Sequence, residues 1–220
     1  MNKENFSQRR KGLYRFVVEP WGYNLFRNII TKKDTQARLV KSYIKPFPGC
    51  RILDIGCGTA NILLDLPDSI GEYIGFDMNP LYIEFAKKRW KDKTNCRFSC
   101  QKVEDVITMK SEEYDIILAI GIIHHLNDTE AIQLFSIAYQ ALRLNGSLIT
   151  YDNVFIENQH WFAKWIISRD RGKAVRTAES YRHLATQYFT DIEEEVLHDT
   201  LRIPYTIYIM RCLKKESKSL

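Results

Sequence analysis

From residue 51 onwards, short apolar runs alternate with stretches whose apolar residues recur at helical spacing. Such alternation marks a parallel sheet assembled from strand–helix–strand units. Strands are predicted at residues 51–55, 73–77, 96–99, 114–120 and 147–151, and helices at 61–66, 80–90 and 130–142. The second of these helices is expected to bury a face that includes Leu81, Ile83, Phe85, Ala86 and Trp90. The run Ile116-Ile117-Leu118-Ala119-Ile120 is apolar without alternation, as a central strand covered on both faces requires. Asn145-Gly146 reads as a turn before the fifth strand. Residues 155–187 read as mostly helical. Two last strands, 192–198 and 206–212, are joined near Pro204 by a connection too short for a crossover, which makes them antiparallel. The pattern therefore predicts an α/β protein with a seven-stranded, mostly parallel sheet, an antiparallel C-terminal hairpin, and helices on both faces.

Ahead of this block the pattern is different. Residues 1–12 are polar and read as a tail. Residues 13–33 carry Tyr14, Phe16, Trp21, Tyr23 and Phe26, with Pro20 and Gly22 forcing a turn before a short helix from about Asn24. Asp34 is placed to cap the next helix, whose stripe is Leu39, Val40, Tyr43 and Ile44 and which Pro46 and Pro48 stop. Residues 1–33 are thus an N-terminal extension, expected to form a lid over the active site, and residues 34–220 the main domain.

Composition narrows the function classes. The 220 residues are 45% hydrophobic and 27% charged, with a net charge of +5. That excess is too small and too dispersed to imply nucleic acid. No apolar run approaches the roughly 18 residues of a membrane span. Five cysteines, an odd number with no secretory pattern before them, predict reduced thiols in the cytoplasm. Cys96 and Cys100 lack a second pair at ligand spacing, so no metal is expected.

The first chemical motif is Leu53-Asp54-Ile55-Gly56-Cys57-Gly58-Thr59, at the end of the first strand. Its glycines permit a tight turn and a close backbone approach to a ligand, and the following helix start offers unpaired N–H groups to a pyrophosphate or a carboxylate. A third glycine is absent, since Asn61 stands there. The second motif is Asp77, at the end of the second strand. A carboxylate there can accept both hydroxyl protons of a ribose, or it can serve the helix start at Asn79-Pro80.

Those two motifs, with Gly75-Phe76-Asp77-Met78-Asn79-Pro80, Tyr114-Asp115-Ile116-Ile117-Leu118, Ile123-His124-His125-Leu126 and Leu142-Arg143-Leu144-Asn145-Gly146-Ser147-Leu148 in this order, resemble the class I S-adenosylmethionine-dependent methyltransferases of small-molecule type. The resemblance spans roughly residues 34–152 and implies a Rossmann-like sheet. It implies that Asp54, Gly56, Cys57 and Gly58 surround the amino-acid part of S-adenosyl-L-methionine, that Asp77 takes the ribose, and that Met78 packs on the adenine. The backbone at Ile120 and Gly121 should pass close to the cofactor. Many such proteins carry a Gly-Asp pair after the third strand; here Gln101-Lys102-Val103-Glu104 replaces it, which assigns adenine recognition to Gln101, Val103 or backbone groups.

His124 and His125 follow the fourth strand, and Asp152 the fifth, all at the carboxyl edge where open α/β sheets bind ligands. Imidazole titrates near neutrality, and in similar small-molecule O-methyltransferases a histidine at the His124 position is the base. The competing reading is that the histidines only cap a turn. The insertion 155–187 is expected to bind the acceptor. It carries Trp161, Trp165, Arg169, Asp170, Arg171, Arg176, Tyr181, Arg182 and His183, a set suited to an anionic or polar small molecule or a sugar. Tyr14, Tyr23, Arg169, Arg171 and Tyr181 are the expected acceptor contacts. The expected reaction is O- or N-methylation by in-line displacement, yielding S-adenosyl-L-homocysteine. Two rival readings share the glycine turn: an NAD(P)-type oxidoreductase, and a catalytically silent module that binds the cofactor.

Overall fold

The computed structural model describes residues 22, 32, 34–101, 113–157, 159–168, 174–198, 200–202 and 205–216. The expectations for Tyr14, Tyr23, Val103, Arg169, Arg171 and Pro204, and for the tail and lid, lie outside those residues, Gly22 apart.

Helix α1 (Thr35–Leu39) runs on through a wider π turn, Val40–Ile44. Asp34 precedes α1 in a left-handed conformation and makes no side-chain cap. Then follow β1 (Arg51–Ile55), a 3-10 turn (Asn61–Leu64), β2 (Glu72–Asp77), α2 (Pro80–Arg89), β3 (Cys96–Cys100) and β4 (Tyr114–Ile120). A second 3-10 turn (Ile123–His125) leads to α3 (Asp128–Ala141), β5 (Leu142–Phe155), α4 (Trp161–Ser168), β6 (Arg176–Thr177), α5 (Ala178–Ala185), β7 (Asp191–Leu197) and β8 (Ile207–Leu213).

The strands form a single sheet in the order β3-β2-β1-β4-β5-β8-β7, with β6 paired to β5. β1 to β5 are mutually parallel, and β8 is antiparallel to both β5 and β7. The expected parallel sheet and closing hairpin are thus present, and short β6 brings the strands among the described residues to eight. Alternate residues of one strand feed two cores. Leu53 and Ile55 pack with Phe135 and Ala138 of α3 and Leu184 of α5. Ile52 packs on the other face with Leu39 of α1 and Ala86 of α2. Apolar residues therefore leave the sheet on both faces, which explains the unbroken apolar run in β4.

Three sequence expectations change. Asn145-Gly146 lies inside β5, where Asn145 has φ 64° and the register with β4 shifts between Tyr114 and Ile116. The chain makes a bulge there, so the local turn signal does not end the strand. Leu81 is exposed, because α2 buries only Ile83 and Ala86. The fifth strand runs on to Phe155, so Asp152 lies within β5 and not after it.

Candidate active site

The carboxyl ends of β1, β2, β4 and β5 lie side by side and carry the predicted residues. After β1 the backbone turns through left-handed conformations at Gly56 (φ 73°), Gly58 (φ 55°) and Ala60 (φ 52°). A Cβ on Gly56 would come within 2.6 Å of Ile122 Cδ1, a side-chain end that would have to shift, and the positive φ itself favours glycine. A Cβ on Gly58 would meet nothing within 4 Å, so this part of the turn faces open space. The N–H groups of Gly56 and Cys57 donate to the Phe76 carbonyl at 2.8 and 3.0 Å, which ties the turn to β2.

Asp77 completes that tie. Its Oδ2 accepts the Gly58 N–H at 3.0 Å and its Oδ1 the Asn79 N–H at 2.8 Å. Each carboxylate oxygen keeps a second acceptor position. The helix cap itself is Asn79, whose side chain accepts the Leu81 N–H. Met78 is 52% exposed beside this acid, an apolar side chain facing outward. Gln101 is exposed, and its N–H donates to the Asp77 carbonyl at 3.2 Å. Ile120 is half-buried, and the Gly121 N–H donates to the Tyr151 carbonyl at 2.8 Å.

Asp54 is buried, and the Tyr73 hydroxyl donates to its Oδ2 at 2.5 Å. Burial raises its carboxyl to about 7, against the lowering effect of the Tyr73 bond. Burial also pushes the Cys57 thiol up, so it is neutral and unreactive as a thiolate. An open glycine turn, a carboxylate with spare acceptor positions, and an outward apolar side chain suit the amino acid, ribose and base of a nucleoside-like sulfonium. The residues present fit S-adenosylmethionine on those grounds.

Next to this cradle stands a His–Asp pair. The Asp152 Oδ1 lies 2.7 Å from His124 Nδ1 and accepts the His124 backbone N–H at 3.0 Å. A carboxylate only accepts, so the ring proton sits on Nδ1 and Nε2 is the basic atom. His124 and Asp152 are 6% and 3% exposed, and Asp152 Oδ2 has no partner among the described residues. His125 is exposed, its ring 4.1 Å from that of His124.

Elsewhere in the insertion the residues divide. Tyr181 is buried beneath the site and donates to the Asn153 carbonyl at 3.0 Å, so its hydroxyl is already used. Its aromatic bulk packs on Tyr208 in the core, where sequence had expected an acceptor contact. Arg182 pairs with Glu194 at 2.8 Å, and Arg176 turns inward. Trp161 and Trp165 of α4 are 73% and 46% exposed. Tyr73 and Arg176 gained their importance only from the structure. Tyr73 reads as an ordinary strand residue in the sequence, and Arg176 as one of four insertion arginines.

Residues 52–146 match a family model described as a methyltransferase domain. Carboxy-S-adenosyl-L-methionine synthase from Helicobacter pylori strain P12 is 26% identical over 118 residues, 52% of this chain and 47% of that protein. The chain spans about half the length of the curated relatives it matches. Among solved structures, a Haemonchus contortus phosphoethanolamine N-methyltransferase 2 bound to S-adenosylhomocysteine has a TM-score of 0.73 at 16% identity, covering 93% of this chain and 59% of that one. The YcgJ protein from Bacillus subtilis has a TM-score of 0.68 at 15% identity, covering 84% of this chain and 100% of that one. The domain match falls on the strands that carry the glycine turn and Asp77. Residues 52–146 thus resemble a methyltransferase domain, and the solved neighbours show the same fold over most of the chain.

Proposed function

We propose that the chain binds S-adenosyl-L-methionine and methylates an oxygen or nitrogen of a small-molecule or sugar acceptor, with His124 as general base. The observation that carries this reading is the buried His124–Asp152 pair, with His124 just past β4 and Asp152 in β5 next to where its pairing with β4 ends, on the same sheet edge as the glycine turn and Asp77. The bound cofactor supplies a methyl group on a positively charged sulfur, and its transfer neutralises that charge. Strong anion stabilisation is therefore unnecessary, and alignment of the reactants supplies much of the acceleration. Asp77 fixes the cofactor's ribose, the turn at Gly56 to Gly58 admits its amino-acid end, and Met78 covers its base. Asp152 keeps the His124 proton on Nδ1, so Nε2 takes the proton that the acceptor oxygen or nitrogen loses. Trp161 and Trp165 offer apolar walls to an acceptor, and Arg169 and Arg171 supply positive charge for an anionic one. We place the reaction in the cytoplasm, with no nucleic acid or membrane as partner.

The test is transfer of a labelled methyl group to a panel of hydroxylated and amino acceptors. His124→Asn should lower turnover about 10²- to 10⁴-fold with cofactor affinity unchanged. Equal turnover in that variant would remove His124 from the mechanism. The match to the Helicobacter synthases favours a second reading, in which the cofactor's methyl carbon loses a proton and takes up the carbon dioxide released by a carboxylic co-substrate. Mass spectrometry separates the two: S-adenosylhomocysteine supports transfer, and a carboxylated cofactor supports the alternative. Cofactor binding with neither product would leave the silent module.

A further inference from the structure

His124 lies on a turn of three residues, too short to hold its shape by its own hydrogen bonds. The carbonyls around it are taken by a segment that arrives from the acceptor insertion. The Ala174 N–H donates to the His124 carbonyl at 3.1 Å. Two residues on, the Arg176 side chain is 9% exposed and has all its N–H donors engaged by acceptors of the protein. Nη1 donates to the carbonyls of Ile123 at 3.2 Å and Ala174 at 2.9 Å. Nη2 donates to the Leu126 carbonyl at 2.8 Å and to Asp128 Oδ1 at 2.7 Å, and Nε donates to the same oxygen at 2.9 Å. The guanidinium carbon lies 5.6 Å from the centroid of the Tyr181 ring.

The same arginine opens β6, paired with Val154 of β5, two residues beyond Asp152. One residue therefore spans both halves of the His–Asp pair: its side chain grips the turn that holds His124, and its backbone pairs with the strand that holds Asp152. We propose that Arg176 is a positioning residue, which keeps His124 in register with Asp152 and fixes the proton on Nδ1. The inference rests on the reading of His124 as the base. Only a planar fork reaches carbonyls on both sides of the turn and the carboxylate at once; the lysine ammonium is a point charge with fewer donors. Because its donors are all engaged by acceptors of the protein, Arg176 has none for an anionic acceptor.

The experiment reads the ring nitrogens of His124 by nitrogen-15 NMR in the full chain with S-adenosylhomocysteine. In the wild type the Nδ1–H tautomer should dominate. In Arg176→Met the two ring nitrogen signals should move toward each other as the tautomers mix. Arg176→Lys should recover part of the separation, and Arg182→Met, which breaks a comparable pair on α5, should leave the signals in place. If Arg176→Met does not fold, Asp128→Ala loosens the same guanidinium and should give a smaller shift in the same direction. His124 signals that coincide with wild type in the folded variant would overturn the inference, as would an equal shift in Arg182→Met. Failure of the wild type to bind S-adenosylhomocysteine strikes the proposed function instead, and the same comparison on the free chain still decides the role of Arg176.

Discussion

Asp54 makes the stability of the chain depend on pH. Its carboxyl is raised by burial to about 7, while an unfolded aspartate titrates near its ordinary value of about 4. Between those values the folded chain holds a proton that the unfolded chain has lost. Stability therefore falls as pH rises through that window, by on the order of 4 kcal/mol from this group. Urea unfolding at pH 5 and pH 8 should show the fall in wild type and much less of it in Asp54→Asn. An equal fall in both would mean that Asp54 is not the group responsible. Gly56 gives a second prediction. Gly56→Ala places a Cβ 2.6 Å from Ile122 in a left-handed conformation, and should cost about 1–3 kcal/mol, measurable as a lower urea midpoint.

At the scale of elements, α3 begins directly after the His124 turn with a capping box. The Asn127 side chain accepts the Glu130 N–H at 3.0 Å, and the Glu130 side chain accepts the Asn127 N–H at 2.8 Å. Asn127→Ala should cost about 1 kcal/mol and lower Tm by roughly 2–4 °C. A Tm unchanged within error would show that the box adds nothing. The strands β1, β2 and β4 and the helix after Asp77 were legible because their signals are local: apolar runs, a glycine turn, an Asn-Pro helix start. Strand β6 was not, since two residues carry no periodicity and its pairing with β5 is purely tertiary. For the same reason the pairing of His124 with Asp152, 28 residues apart, was invisible even though each residue was singled out. The exposed side of Leu81 was misread because α2 is covered on a face narrower than its apolar residues suggest.

For the whole molecule, the sheet ends at β3 and β7, and an open strand edge invites pairing with another chain. Strand β7 counters this with three consecutive exposed glutamates, held by cross-contacts: Glu193 with Arg211 at 3.2 Å, Glu194 with Arg182 at 2.8 Å, and Glu195 with the Tyr43 hydroxyl at 2.5 Å. Replacing Glu193 and Glu195 by valine should increase self-association, seen as a larger weight-average mass in light scattering. The unchanged mass of such a variant would assign the glutamates to local pairing alone. The antiparallel end of the sheet also separates this fold from the nicotinamide-dependent enzymes that share its glycine turn. Both the turn and Asp77 are proposed to hold the methyl donor, so donor binding is the step to measure. Calorimetric titration of S-adenosylhomocysteine into the wild type and Asp77→Ala tests it most directly. The wild type should bind at a single site, and the variant should lose at least about tenfold in affinity through the missing charge-assisted bonds. No heat of binding in the wild type, or the same affinity in both proteins, would contradict it.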